Sequence, residues 1–170
     1  MKGGAAIRIS ISIKEKAYIS KQEIIHMVLA GLFFIVVVNI NSYIISIFDY
    51  TGVGTILLAP LNEEFFRFVS FLISGPIVIY YTCVLAFTEF VFYLVTYSGD
   101  FSGWGFWAFF IMRVLCILAH FLFFYIQYTY YKISIQRNNK CYLIFGMLVA
   151  TSAHIIYNNS IAQGLYDLIR

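Results

Sequence analysis

Charge is scarce in this chain. Only 11% of its 170 residues are Asp, Glu, Lys or Arg, where a soluble domain carries about 25%. That shortage excludes a soluble globular protein, a nucleic-acid-binding module and a disordered chain, each of which needs a charged surface or a charged body. The net charge of +3 is too small to argue for a polyanionic partner, so no nucleic acid is expected. Proline occurs twice and cysteine three times. Cys83, Cys116 and Cys141 are odd in number and show no C-x-x-C spacing, which implies neither a disulfide framework nor a zinc knuckle. There is no internal repeat, no linker and no low-complexity stretch.

What fills the chain instead is apolar. It is 62% hydrophobic and 20% aromatic, with 18 Phe and 14 Tyr, and its mean hydropathy is +0.86. Side chains in such excess must face lipid, and lipid admits only helices or closed barrels. The expectation is an all-α fold: a polytopic membrane helix bundle of about five transmembrane helices. Residues 1–23 read as a basic cytoplasmic segment, and residues 24–170 as one membrane-embedded helical domain. Within the first segment, Arg8 to Lys14 alternates apolar and polar residues, as a short strand or surface segment does. The long apolar run that follows, with no small-x-small site after it, does not suit a cleavable signal.

The apolar runs divide the chain into spans. They cover about Ile24–Phe48, Gly52–Ile73, Ile77–Tyr97, Trp104–Tyr131 and Cys141–Leu165. Each is long enough for a core about 30 Å thick at about 1.5 Å per residue. Ser74-Gly75-Pro76, Ser98–Gly103 and the basic stretch Lys132–Lys140 read as the connections. Five spans put the N-terminus and Lys132–Lys140 on one side. Those segments hold Lys2, Arg8, Lys14, Lys16, Lys21, Lys132, Arg137 and Lys140, eight of the 11 basic residues. The positive-inside rule then sets the N-terminus in the cytoplasm, in a protein of the cell membrane.

Seven acidic, basic or imidazole residues fall well inside the spans: Glu63, Glu64, Arg67, Glu89, Arg113, His120 and His154, while His26 sits at the end of the first. A charge at mid-bilayer costs about 2.5–3.5 kcal/mol even on insertion scales. They must therefore face one another or a wet cavity. Counted along their spans, Glu63, Glu64, Glu89, His120 and His154 reach similar depths near the midplane. Glu63 and Arg67 are four apart and share a face, as do His154 and Asn158, while Arg113 and His120 are seven apart. Glu63 with Arg67 could be no more than a neutralising pair within one helix, and Arg113 suits the role of partner to a carboxylate. Asn39 and Asn41 suit hydrogen bonding between helices.

Carboxylates and imidazoles at one depth can activate water as general bases. They can also hold a divalent ion such as Zn²⁺ with one position left for water, and Glu64, His120 and His154 are the candidate ligands. No Ser or Cys nucleophile with a partner stands out. Hydrolysis of an amide bond within the membrane, by activated water, fits this inventory best. The partners implied are membrane lipid and a membrane-anchored protein substrate.

Four segments then resemble a known family. Ala59 to Phe68, A-P-L-N-E-E-F-F-R-F, resembles the A-P-x-x-E-E-x-x-K motif of the PrsW membrane proteases. Ala86 to Leu94 resembles the family's segment around a single Glu, Arg113 to His120 its R-x(6)-H-like motif, and Ala153 to Asn158 its closing H-x-x-x-D/N motif. The four occur in order, each in its own span. The resemblance implies a peptidase in which Glu63 or Glu64 activates water, alone or through a metal. It implies that Glu89 and His120 hold that water or metal, that His154 and Asn158 face the substrate carbonyl, and that Arg67 balances the carboxylates. The wider superfamily also includes a scaffold subunit of gamma-secretase. A non-catalytic membrane scaffold is thus the alternative, and a small proton-coupled carrier a third, weakened by the lack of repeat symmetry.

Overall fold

The computed structural model describes residues 20–48, 53–97, 99, 102–162 and 164. The described residues are helical with short connections. In chain order they form α1 (Lys21–Phe48), a π-turn (Gly54–Leu58) running into α2 (Ala59–Ile73), α3 (Gly75–Tyr97), α4 (Trp104–Gln136), and α5 (Cys141–Ile156) with a π-turn at its end (Tyr157–Ala162). The expectation for Arg8–Lys14 falls outside the described residues, as do Asp49, Asp100, Asp167 and Arg170.

Among the described residues the fold is all-α, with five α-helices. Four are long and apolar enough to cross a membrane: α1, α3 from Ile77, α4, and α5 continued through its π-turn to Ile161. That is the composition an integral membrane protein has. The remaining helix, α2, has 15 residues, and three of them are charged. With its π-turn it runs from Gly54 to Ile73, so charge rather than length separates it from the four spans, and it packs against all of them. Burial in protein is what makes its polar stripe tolerable in an apolar bundle.

Local signals explain the ends. At the start of α1, Ser20 and Glu23 form a reciprocal cap. The Glu23 amide donates to Ser20 Oγ at 3.2 Å, and the Ser20 amide to Glu23 Oε2 at 2.7 Å. The cap draws Lys21 to Glu23 into the helix, ahead of the apolar run. Ser74, in extended backbone, is the single residue between α2 and α3; Pro76 sits in the first turn of α3, where no amide hydrogen is required, and Pro60 follows directly on the π-turn. The basic stretch expected as a connection from Lys132 is helical through Gln136. The turn itself is Arg137–Lys140, with Asn138 left-handed at φ 46°. Nothing before Asn138 breaks the helix, and Lys132 lays its Nζ 4.5 Å from the Tyr128 ring centre.

Each helix buries a narrow stripe and turns the rest outward. On α1 only Ala30 and Val37, seven apart, are buried, and they meet Ile77, Tyr81 and Leu85 of α3. On α4 the buried set is Phe109, Met112, Arg113, Cys116, Ala119, His120, Phe123 and Gln127, a three-four spacing that defines one face. Its hairpin with α5 is close: a Cβ on Gly146 would lie 2.6 Å from Cβ of Tyr130. Small residues permit such approach between helices in lipid, where no hydrophobic drive exists between them. Large apolar side chains point outward, among them Trp104, Val95 and Phe87. On a soluble protein that surface would aggregate; facing acyl chains it costs nothing.

Candidate functional site

The ionisable residues of four helices converge on α2. Glu64 and Arg67 are both 0% exposed and form an ion pair, with Arg67 Nη1 donating to Glu64 Oε2. Gln127 of α4 donates from Nε2 to the same oxygen at 2.9 Å and to the Glu64 backbone carbonyl at 3.2 Å. His154 of α5 places Nδ1 2.9 Å from Glu64 Oε1. Arg67 also donates from Nε to Thr82 Oγ1 of α3 at 3.3 Å. Glu64 is therefore enclosed by three donors from three helices. A buried charge held in this way is stabilised by its partners and strands them when removed.

Glu63 faces another way. Asn41 of α1 donates from Nδ2 to Glu63 Oε1 at 2.9 Å, and Asn62 donates to Asn41 Oδ1 at 2.7 Å. Tyr81 donates its hydroxyl to the Glu63 carbonyl at 3.3 Å. The second carboxylate oxygen, Oε2, is buried without a hydrogen-bond partner and lies 3.9 Å from His154 Nε2. On α4, His120 sets Nε2 2.6 Å from Glu89 Oε2 of α3, and its Nδ1 is buried without a partner. The two imidazoles stand nearly perpendicular, at 88°, with ring centres 5.4 Å apart. Phe123 stacks on His154 at 4.4 Å and fixes its plane. Glu63, His120 and His154 each offer one ligand atom, and all three atoms lie within 4.8 Å of one another.

The tautomers follow from the carboxylates. With Glu64 and Glu89 ionised, each accepts the N–H of its histidine. The proton of His154 then sits on Nδ1 and that of His120 on Nε2. Each ring presents its other nitrogen as a lone pair. Two imidazole lone pairs and one carboxylate oxygen make a donor set for a divalent cation such as zinc. Histidine held from behind by a carboxylate is the usual support for such a ligand. The same lone pairs could instead hold a water molecule for deprotonation by Glu63. They cannot donate to an oxyanion in this state.

The structure thus brings together Glu63, Glu64, Glu89, His120 and His154. It differs from the expectation in which glutamate stands where. Glu63, rather than Glu64, groups with the two histidines, because all three neighbours of the Glu64 carboxylate are donors already committed to it. Arg67 pairs with Glu64, three residues back, and not with Glu63, four back. Arg113 forms no salt bridge with a carboxylate among the described residues. Its guanidinium lies 4.1 Å from the Tyr93 ring centre and 5.5 Å from that of Phe109. Asn158 lies in the π-turn one turn beyond His154, half-buried, and takes no part in the hydrogen bonds that tie the cluster. Asn39 bonds back to the Ile35 carbonyl of its own helix, whereas Asn41 reaches the cluster.

Gln127, Asn62 and Thr82 belong to the network and were not singled out from sequence. A signal existed for Gln127, since Arg113, His120 and Gln127 follow one another at intervals of seven on a single face of α4. Glu89, with 31% of its side chain exposed, is the open edge of the cluster, while the side chains of His120 and His154 are 4% and 5% exposed. The chain was compared with protein-family models, curated proteins and solved structures, and none of them matches it.

Proposed function

We propose that the chain is a membrane-embedded peptidase that cleaves a membrane-anchored protein with activated water. One observation carries this reading. Glu63 Oε2 and His120 Nδ1 are buried without partners beside His154, while the opposite nitrogens of both histidines are held by Glu64 and Glu89. Leaving polar atoms unpaired in a buried place costs about 1–3 kcal/mol each. A packing device would close those bonds, and a site for water, metal or substrate leaves them open. The resemblance of the four sequence motifs to the PrsW proteases supports the same reading. So does the expected orientation, with the N-terminus in the cytoplasm and the site in the cell membrane.

The residues divide the work as follows. Glu63 takes a proton from a water held between it and the histidines. The water oxygen attacks the peptide carbonyl carbon, and a C–O bond forms. The C–N bond then breaks, and the nitrogen leaves with the proton that Glu63 carried. The open nitrogen of His120 or His154 accepts the water's second hydrogen, and Glu89 and Glu64 hold the histidines. Glu63, His120 and His154 fit zinc by donor type and by their open lone pairs; when bound there, zinc would lower the pKa of its water and polarise the carbonyl. Arg67 and Gln127 keep Glu64 ionised and in position.

The closed half of the cluster favours a second reading. Glu64, Arg67, Gln127 and Thr82 are bonded to one another, with Arg67 Nη2 buried without a partner, as in a scaffold that uses polar residues only to fix helix packing. A cleavage assay on membranes carrying single-span peptides separates the two. Wild type should cleave, and Glu63→Gln should lose about 10²–10⁴ in rate while remaining folded. Absence of cleavage across a broad panel, with Glu63→Gln no different in any respect, leaves the scaffold.

A further inference from the structure

Arg113 is a buried cation that makes no direct salt bridge with any described carboxylate. It is 7% exposed, on the inward stripe of α4. Its Nε is buried without a hydrogen-bond partner, and Nη2 makes only a 3.8 Å contact with the sulfur of Met112. Nε and Nη2 are the side-on edge of a guanidinium, the edge that takes a carboxylate through two parallel hydrogen bonds. The guanidinium carbon lies 4.1 Å from the Tyr93 ring centre and 5.5 Å from that of Phe109, which hold the group, and Met112 is the neighbour on that edge, a side chain flexible enough to give way. Inside a membrane an unpaired arginine is costly, and in structures it marks a ligand or ion path.

Its position relates it to the hydrolytic residues. Arg113 precedes His120 by seven residues, two turns of α4, or about 10 Å along the axis. Tyr93, which carries its guanidinium, follows Glu89 by one turn on α3, so Arg113 lies on the side of the cluster that Glu89 opens. We infer that Arg113 is an anion subsite beside the Glu63–His120–His154 centre, and that it receives a carboxylate of the substrate polypeptide; this rests on the peptidase reading.

Depth favours a peptide carboxylate over a lipid phosphate. Trp104 and Trp107, at the start of α4, are 90% and 58% exposed. Tryptophan so placed marks the level of the headgroups. Arg113 is nine residues beyond Trp104 and six beyond Trp107, about 9–14 Å deeper, below the level of headgroup phosphate. A polypeptide bound across the cluster does reach it. The carboxylate is that of the chain end or of an acidic side chain, and the two sources are told apart by the probes.

The test measures binding, not turnover, on the full chain purified in neutral detergent. The probes are amphiphiles with one acyl chain length: N-dodecanoylglycine, its primary amide, the α-amide of N-dodecanoylglutamate, and dodecyl phosphate. Wild type should bind one of the two carboxylates at least about tenfold more tightly than the amide, as two charge-assisted hydrogen bonds imply. The glycine probe winning identifies the chain end, and the glutamate probe an acidic side chain. Arg113→Gln should abolish the preference. Arg113→Lys, which keeps the charge without the two-pronged edge, should reduce it several-fold, and it serves as the decisive variant if Arg113→Gln does not fold. Glu63→Gln should keep the preference, so a failed peptidase reading leaves the anion subsite measurable. Equal binding of acid and amide by wild type, or a preference that survives Arg113→Gln, overturns the proposal. Dodecyl phosphate outcompeting both carboxylates overturns it in favour of a lipid phosphate seat.

Discussion

Glu63 and Glu64 are neighbours in sequence with the same charge, and their environments predict opposite outcomes for the same substitution. In Glu64→Gln the amide nitrogen must face one of three donors, Arg67 Nη1, Gln127 Nε2 or the Nδ1–H of His154. Arg67 would also keep a full charge at 0% exposure with no anion beside it. Breaking a buried pair from one side costs about 3–5 kcal/mol. For a chain of this size that is a fall of roughly 6–20 °C in unfolding temperature. In Glu63→Gln the amide oxygen can still accept from Asn41, and the new NH₂ takes the place of an oxygen that had no partner. The expected change is within about 1 kcal/mol. The assay is thermal unfolding of both variants in one detergent, followed by size-exclusion chromatography. The double variant Glu64→Gln with Arg67→Met removes the stranded charge and should recover at least half the loss, since a buried ion pair can be replaced by apolar side chains of similar volume at little cost. Equal losses for the two single variants would refute the division of roles, and so would a double variant less stable than Glu64→Gln alone.

Two further outcomes follow from the same geometry. Added Zn²⁺ should raise the unfolding temperature of wild type, by the equivalent of about 2.7 kcal/mol at a hundredfold excess over Kd. Glu63→Gln and His120→Ala should remove that increase, and a wild type indifferent to zinc leaves water activated by Glu63 and the histidines alone. In the α4–α5 hairpin, Gly146→Ala brings a Cβ to 2.6 Å from Cβ of Tyr130, an atom that cannot swing aside, and should cost about 1–3 kcal/mol. Gly31→Ala meets nothing within 4 Å and should be neutral or stabilising by up to about 1 kcal/mol, measured by the same unfolding assay.

The helices were legible because lipid imposes their length. A run of apolar residues reports a span directly, and α1, α3, α4 and α5 lie where the runs do. The ends were less legible because they depend on side chains reaching back to the backbone. Ser20 with Glu23 started α1 early, and the lack of any breaker before Asn138 carried α4 past Lys132. The second run also folds as helix, from Gly54 to Ile73, and its three charges lie in the helix that packs against the other four.

Within the cluster, depth was readable and direction was not. Depth needs only a count of residues at a fixed rise, and the count placed Glu63, Glu64, Glu89, His120 and His154 near one level. Direction is set by partners. At about 100° per residue, Arg67 stands roughly 40° from Glu63 and 60° from Glu64 around α2. Helical spacing therefore leaves both pairings open. Gln127 and His154 reach α2 on the side of Glu64, and Thr82 takes Arg67 Nε, while Asn41 draws Glu63 toward α1. Each of these residues appears in the sequence as a solitary polar group in an apolar run. On the peptidase reading, which glutamate supports and which would react is set by the oxygen left without a donor once the described helices have met, and that oxygen is Oε2 of Glu63.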